Sequence, residues 1–222
     1  MKNLASYIDH TLLAQNATVK MIEKLCDEAK EYSFCSVCVN SSYVKDASGF
    51  LKGSDVKICS VVGFPLGAMS TKAKAYEAKV AVEDGADEID MVINVGWLKS
   101  KQFDRVKEDI ALLNSTCKDV VFKVILETAL LDEEEIRVVC KMSKEIGVDF
   151  VKTSTGFSIR GASIEDIEIM KDVVGKSIEI KASGGIRDYE KAMSMVEAGA
   201  TRLGVSAGIA IVSGAKNKGE GY

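Results

Sequence analysis

Two lysines and one aspartate stand in apolar runs that would ordinarily exclude them. Asp90 interrupts E-I-D-M-V-I at 88–93, Lys152 lies in D-F-V-K-T at 149–153, and Lys181 lies in S-I-E-I-K-A at 177–182. Charges in such runs are costly to bury unless they are paired or functional. Lys152 and Lys181 are about one strand-and-helix unit apart, so neighbouring parallel strands would set the two amines side by side. A second positive charge disfavours protonation of the first, which is how an amine becomes a nucleophile near neutral pH. The chemistry expected of two such lysines with a carboxylate is imine formation on a carbonyl compound.

Positioning these groups takes a repeated element. Short apolar runs at 7–12, 36–40, 56–63, 88–93, 120–127, 149–153, 177–182 and 201–205 read as eight strands. Between them, segments such as 18–31, 71–84, 132–146, 163–174 and 188–198 carry apolar residues three and four apart, the period of an amphipathic helix. Asp132 with Glu135, and Ser163 with Asp166, have the spacing of helix N-terminal caps. The tripeptides beginning at Gly85, Gly147 and Gly199 reuse one glycine stop between helix and strand. Eight strand–helix units with right-handed crossovers match a single closed (β/α)8 (TIM) barrel over residues 1–213, an open doubly wound sheet being the competitor. Residues 214–222 read as a flexible C-terminal tail ending in Tyr222.

Alternation along a strand assigns faces. Asp90, Lys152 and Lys181 should point into the barrel, Asp9 shares a face with Thr11, and Lys123 shares one with Glu127. Asp9 and Thr11 are candidates to position substrate hydroxyls, or else a satisfied polar pair at a strand end. The other reading of the buried charges is a structural ion-pair layer in which Glu127 and Glu179 balance Lys123, Lys152 and Lys181. Glycine-rich turns follow the last two strands, at Ser183, Gly184 and Gly185 and at Gly204, Ser206 and Gly208, with Gly156 after the sixth. Backbone N–H groups at such turns suit an anion, and these loops of a barrel are its usual place for a phosphate.

Composition narrows the partners. Twenty-nine Lys and Arg against 33 Asp and Glu leave a net charge of −4, which disfavours a nucleic-acid or anionic-membrane surface. The chain has no run of 18 apolar residues and no basic-then-apolar leader, and reads as cytoplasmic. Cys35 and Cys38 form a C-x-x-C inside a strand-like run, and His10 is the one histidine, so no set of residues offers metal-ligand spacing along the chain. Cys38 reads as barrel wall.

Six motifs spanning the chain carry a family resemblance: Y-I-D-H-T-L-L at 7–13, V-V-G-F-P-L-G at 61–67, A-D-E-I-D-M-V-I-N at 86–94, F-K-V-I-L-E-T at 122–128, F-V-K-T-S-T-G-F at 150–157 and I-K-A-S-G-G-I-R at 180–187. With them the chain resembles the deoxyribose-phosphate aldolases. The resemblance implies a class I, metal-free and cofactor-free lyase on a (β/α)8 barrel, cleaving 2-deoxy-D-ribose 5-phosphate reversibly to acetaldehyde and D-glyceraldehyde 3-phosphate in deoxynucleoside breakdown. It assigns Lys152 as the imine lysine, Lys181 as its tuning partner and Asp90 as a proton relay. Gly156, Gly184, Gly185, Gly204 and Ser206 become the phosphate cradle. Phe157 stands where some relatives carry lysine, leaving backbone dipoles and hydroxyls to hold the phosphate. Relatives often end in tyrosine, and a tail folding back over the rim would let Tyr222 protonate an enamine carbon. The resemblance leaves the assembly open, with a homo-oligomeric dimer or tetramer as candidates. The glycine turns alone would also serve another phosphate-binding aldolase or isomerase, or a catalytically inactive barrel that binds a sugar phosphate.

Overall fold

Strands β1 (Ile8–Leu12), β2 (Ser36–Asn40), β3 (Lys57–Val62), β4 (Glu88–Val92), β5 (Val121–Ile125), β6 (Phe150–Lys152), β7 (Glu179–Ser183) and β8 (Arg202–Val205) pair in parallel and in sequence order, and β8 returns to pair with β1. This is the (β/α)8 barrel expected from the strand–helix alternation, seen in a computed structural model that describes residues 3–214. Around it lie α1 (Val19–Tyr32), α2 (Val44–Phe50), α3 (Thr71–Glu83), α4 (Val95–Lys99), α5 (Phe103–Thr116), α6 (Glu133–Ile146), α7 (Ile164–Val174), α8 (Tyr189–Ala198) and α9 (Gly208–Ser213).

Local chemistry fixes the ends of these helices. Asp132 and Glu135 form a reciprocal capping box at the start of α6, Ser163 accepts from the Asp166 amide at the start of α7, and Gly147 closes α6 in the left-handed region. Helix α5 was not among the segments singled out by periodicity. Its Val106, Ile110 and Leu113 have helical spacing, but the charged Asp109 sits within the buried stripe.

Asp109 is there for a partner. Lys74 of α3 and Asp109 of α5 are both fully buried, and the Lys74 ammonium donates to Asp109 Oδ2 at 2.7 Å and to the carbonyl of Val92 at 2.8 Å. Burial pulls the Lys74 ammonium below its usual range, with Asp109 opposing that pull. The pair ties two neighbouring helices to the C-terminal end of β4, one residue short of the loop that follows it.

The apolar core lies mainly between strands and helices, a near-continuous cluster that includes Ile8, Ile89, Phe122 and Leu203. Inside the barrel a much smaller apolar group, Leu13, Cys38, Cys59 and Val61 with Phe64 packed on it, fills the sector nearest β1 to β3. Charged side chains fill much of the rest of the interior, with Phe150 against Lys123 and Arg202.

Because removing one member of a buried pair strands the other, Asp109→Asn should destabilise the fold by about 3–5 kcal/mol. The apolar double replacement Lys74→Met with Asp109→Leu should recover most of that loss. Urea unfolding of the three proteins measures this, and equal loss in the double variant would mean the pair is not the source.

Candidate active site

Strand register delivers the site. Lys152 pairs with Lys181 across β6 and β7, Asp90 with Lys123 across β4 and β5, and Lys181 with Arg202 across β7 and β8. Residues so paired point to the same side of the sheet, so all five side chains enter the barrel.

Asp90 is the hub. Its Oδ2 accepts from Lys152 Nζ at 2.7 Å and Lys181 Nζ at 2.8 Å, while Oδ1 accepts from Lys123 Nζ at 2.9 Å and from the Cys59 thiol at 3.1 Å. Burial alone would raise the Asp90 carboxyl, but Lys123, Lys152 and Lys181 hold it well below the usual carboxylate range. Burial likewise works against the Lys181 ammonium, yet Asp9 and Asp90 hold it well above the usual lysine range, so it is a permanent cation. Lys123 is raised in the same way, with Asp90 the first of its stabilising charges.

The ion-pair layer exists, with different members from those expected. Glu88 Oε2 accepts from Lys123 at 2.5 Å and Arg202 at 3.0 Å, and Arg202 also donates to Asp9 Oδ1 at 2.8 Å. Glu179 is exposed and accepts from the Thr201 hydroxyl instead. Glu127 leaves strand parity altogether: it follows the end of β5 at φ 58°, and its carboxylate takes both the amide and the hydroxyl of Thr155. Burial pushes the Glu127 carboxyl upward. Glu88 and Arg202 went unnoticed because each lies at the first position of a strand, where a charge reads as solvated.

Only one of these amines reaches the open pocket. Lys152, the last residue of β6, lines a cavity at the C-terminal ends of the strands, together with Thr11, Thr155, Gly156 and the loops after β7 and β8. Lys181 lies beneath it, fully buried. Gly156, Gly184, Gly185, Gly204 and Ser206 all line the same cavity, as the two glycine turns require. Gly184 at φ 83° and Gly185 at φ 75° are consecutive left-handed residues, a backbone shape that curls amides into an anion-binding concavity. A Cβ on Gly161 would lie 2.1 Å from the Gly184 carbonyl oxygen, so the loops after β6 and β7 pack backbone to backbone.

Two expectations change, for Asp9 and for metal-ligand spacing. Asp9 faces inward and is consumed by Lys181 (2.5 Å) and Arg202, which hold its carboxyl below the usual range against the effect of burial; it does not line the cavity. Thr11 does line it, its hydroxyl donating to the Asp9 carbonyl at 2.8 Å. Gly204 lines the cavity but also leaves room for Lys181, whose Cε would be 3.0 Å from a Cβ there. Metal-ligand spacing, missing along the chain, does arise in space: Cys38, Cys59 and Asp90, and Asp9, Cys59 and Glu88, each bring three ligand atoms within 4.8 Å of one another. The carboxylates of both groups already bind ammonium or guanidinium protons, and a metal ion would sit against Lys123, Lys152 and Lys181.

Arg187 also lines the cavity and was not singled out from the sequence, although it closes the motif at 180–187. Phe157 is not among the residues that line this cavity. Phe157 packs edge-on against Phe64, with ring centroids 5.2 Å apart. Of the C-x-x-C cysteines, Cys38 on β2 faces inside against Cys59 while Cys35 precedes the strand and is half-buried, and all six cysteines are free thiols. Tyr222 lies outside the described residues. Among the described residues no helix is long and apolar enough to cross a membrane.

Comparison with known proteins agrees with this geometry. The chain is 56% identical to the deoxyribose-phosphate aldolase of Brevibacillus brevis, covering 99% of this chain and 100% of that one. It is 55% identical to that of Clostridium novyi, over 99% of this chain and all of the other. Among solved structures, a deoxyribose-phosphate aldolase from Aeropyrum pernix, described as a unique tetramer, superposes with a TM-score of 0.87 at 34% identity, covering 95% of this chain and 89% of that one. Residues 4–214 match the DeoC/LacD family of aldolases along nearly the whole length, and the chain belongs to that family.

Proposed function

We propose that this chain cleaves 2-deoxy-D-ribose 5-phosphate reversibly to acetaldehyde and D-glyceraldehyde 3-phosphate through an imine on Lys152. The observation that carries the reading is that Lys152 alone of the three lysines on Asp90 lines the cavity, which the two glycine turns also line. Neutral Lys152 attacks the C1 aldehyde of the opened sugar, and the carbinolamine loses water to give the protonated imine. That cation is the electron sink. A base removes the C3 hydroxyl proton, the C2–C3 bond breaks, and its electron pair flows to the imine nitrogen, releasing glyceraldehyde 3-phosphate and leaving an enamine. Protonation at C2 and hydrolysis then free acetaldehyde and the amine.

Asp90 orients the amine and passes protons through water rather than storing them, because its carboxyl is held well below the usual range. Lys181 keeps its charge beside Lys152 throughout. Gly156, Gly184, Gly185, Gly204 and Ser206 receive the phosphate with Arg187 as its cation, and Thr11 takes a sugar hydroxyl. Tyr222 stays in the proposal as the enamine's proton donor on sequence grounds. A homo-oligomeric assembly rests on the tetrameric relative.

Acetaldehyde with borohydride should attach a two-carbon adduct to Lys152 and nowhere else, as located by peptide mass mapping. A label on Lys181 or Lys123, or no label, would sink the assignment. Lys181→Leu should lose most activity at neutral pH, and its residual rate should climb as pH rises toward about 10, where ordinary lysines deprotonate. A flat profile would mean either that the buried network has collapsed or that Lys181 acts as an acid or base itself. Gly185→Val and Arg187→Met should each raise KM for the phosphorylated sugar at least tenfold, about 1.4 kcal/mol of binding, with little change for unphosphorylated deoxyribose. Equal losses on both sugars would make these residues structural only.

A further inference from the structure

The charges beneath Lys152 form a closed circuit of alternating sign. From Asp90 the contacts run to Lys123 at 2.9 Å, to Glu88 at 2.5 Å, to Arg202 at 3.0 Å, to Asp9 at 2.8 Å, to Lys181 at 2.5 Å and back to Asp90 at 2.8 Å. Three carboxylates alternate with three cations, so the circuit is neutral as a whole. Lys152 joins it at one point, Asp90, as a fourth basic side chain against three carboxylates.

The other groups facing Lys152 do not supply the missing charge within the ring. Cys38 of β2 and Cys59 of β3 are free cysteines in hydrogen-bond contact with each other, and Cys59 donates to Asp90. Glu127, beyond β5, stands outside the ring with its oxygens engaged by Thr155, and the charges of both Lys152 and Arg160 act on it. Arg187, at the cavity, adds positive charge rather than removing it. In a dry interior, where charges interact across several ångströms, an ammonium at this position is the one member that the circuit does not neutralise.

We propose that Glu88, Lys123 and Arg202 are positioning residues for the imine-forming amine: they close a neutral ring around Asp90, leave Lys152 as the surplus cation, and thereby set the pH at which it becomes nucleophilic. This rests on Lys152 being the imine lysine. Glu88 and Arg202 sit at the N-terminal ends of their strands, and Glu88 lines a groove at that opposite mouth of the barrel, so neither touches the sugar. Their influence is through charge alone, and charge has a sign.

The sign is the test. Removing a cation from the ring favours protonated Lys152, and removing an anion disfavours it. The initial rate of acetaldehyde trapping at Lys152 by cyanoborohydride, followed from about pH 5 to about pH 10, gives the midpoint of its deprotonation. Arg202→Gln should move that midpoint upward by about one pH unit, as a unit charge acting through an effective dielectric near 20 would do. Glu88→Gln should move it downward by a similar amount. The double variant, again neutral, should return close to the parent midpoint, and Arg202→Lys should leave it in place. Packing roles alone would lower amplitudes and melting temperatures without moving the midpoint, or would move both variants the same way, and either result overturns the proposal. If Arg202→Gln does not fold, Glu88→Gln and the double variant still decide it, since an unmoved midpoint in Glu88→Gln is enough to reject the ring. If the parent protein gives no adduct at Lys152, it is the imine assignment that fails and not the ring.

Discussion

Everything in the barrel interior is arranged around one carboxylate that must accept three ammonium groups. A lone Asp90 at that depth would take up a proton and cease to be an anion, and three lone lysines there would lose theirs. Asp90 on one side and Lys123 and Lys181 on the other hold one another in the charged state, and the cost of drying them is repaid only because every lone pair of the carboxylate has a donor. The parallel register is what allows this. Each strand contributes a residue to the same layer, and a shift of one residue in any of β4 to β7 would turn a charge outward into the helix-facing core.

That layer also separates two jobs along the barrel axis. Toward the N-terminal ends, Glu88 and Arg202 lock charges together with Phe150 stacked against Arg202, and nothing there faces the sugar cavity. Toward the C-terminal ends, Lys152 stands at the boundary between the ion pairs and the open pocket. A nucleophile at such a boundary can reach a ligand while its protonation is governed from below. The glycine turns and Arg187 occupy the rim above, where backbone amides and one guanidinium suit a phosphate without adding bulk.

Much of this was legible in the sequence because strand parity is strict. Charges at Asp90, Lys152 and Lys181 in otherwise apolar runs could only be inward, and inward from adjacent strands means together. The counter-charges were harder to read. Glu88 and Arg202 begin their strands, where sequence cannot distinguish the first inward residue from the last of the preceding turn. Glu127 and Glu179 looked like partners by parity, but the first follows a left-handed residue geometry past the strand end and the second is at the exposed start of β7. Helix α5 was hidden for a related reason: a buried aspartate breaks an apolar stripe unless its partner, Lys74 on another helix, is known in advance.

The Lys74–Asp109 contact has a consequence for synthesis on the ribosome. The lysine leaves the exit tunnel with α3 well before the aspartate that pairs with it, and until α5 has followed its ammonium has only the Val92 carbonyl as an acceptor. An early half-barrel of β1 to β4 therefore carries a solvated charge at the very spot where α3 must lie flat on the sheet.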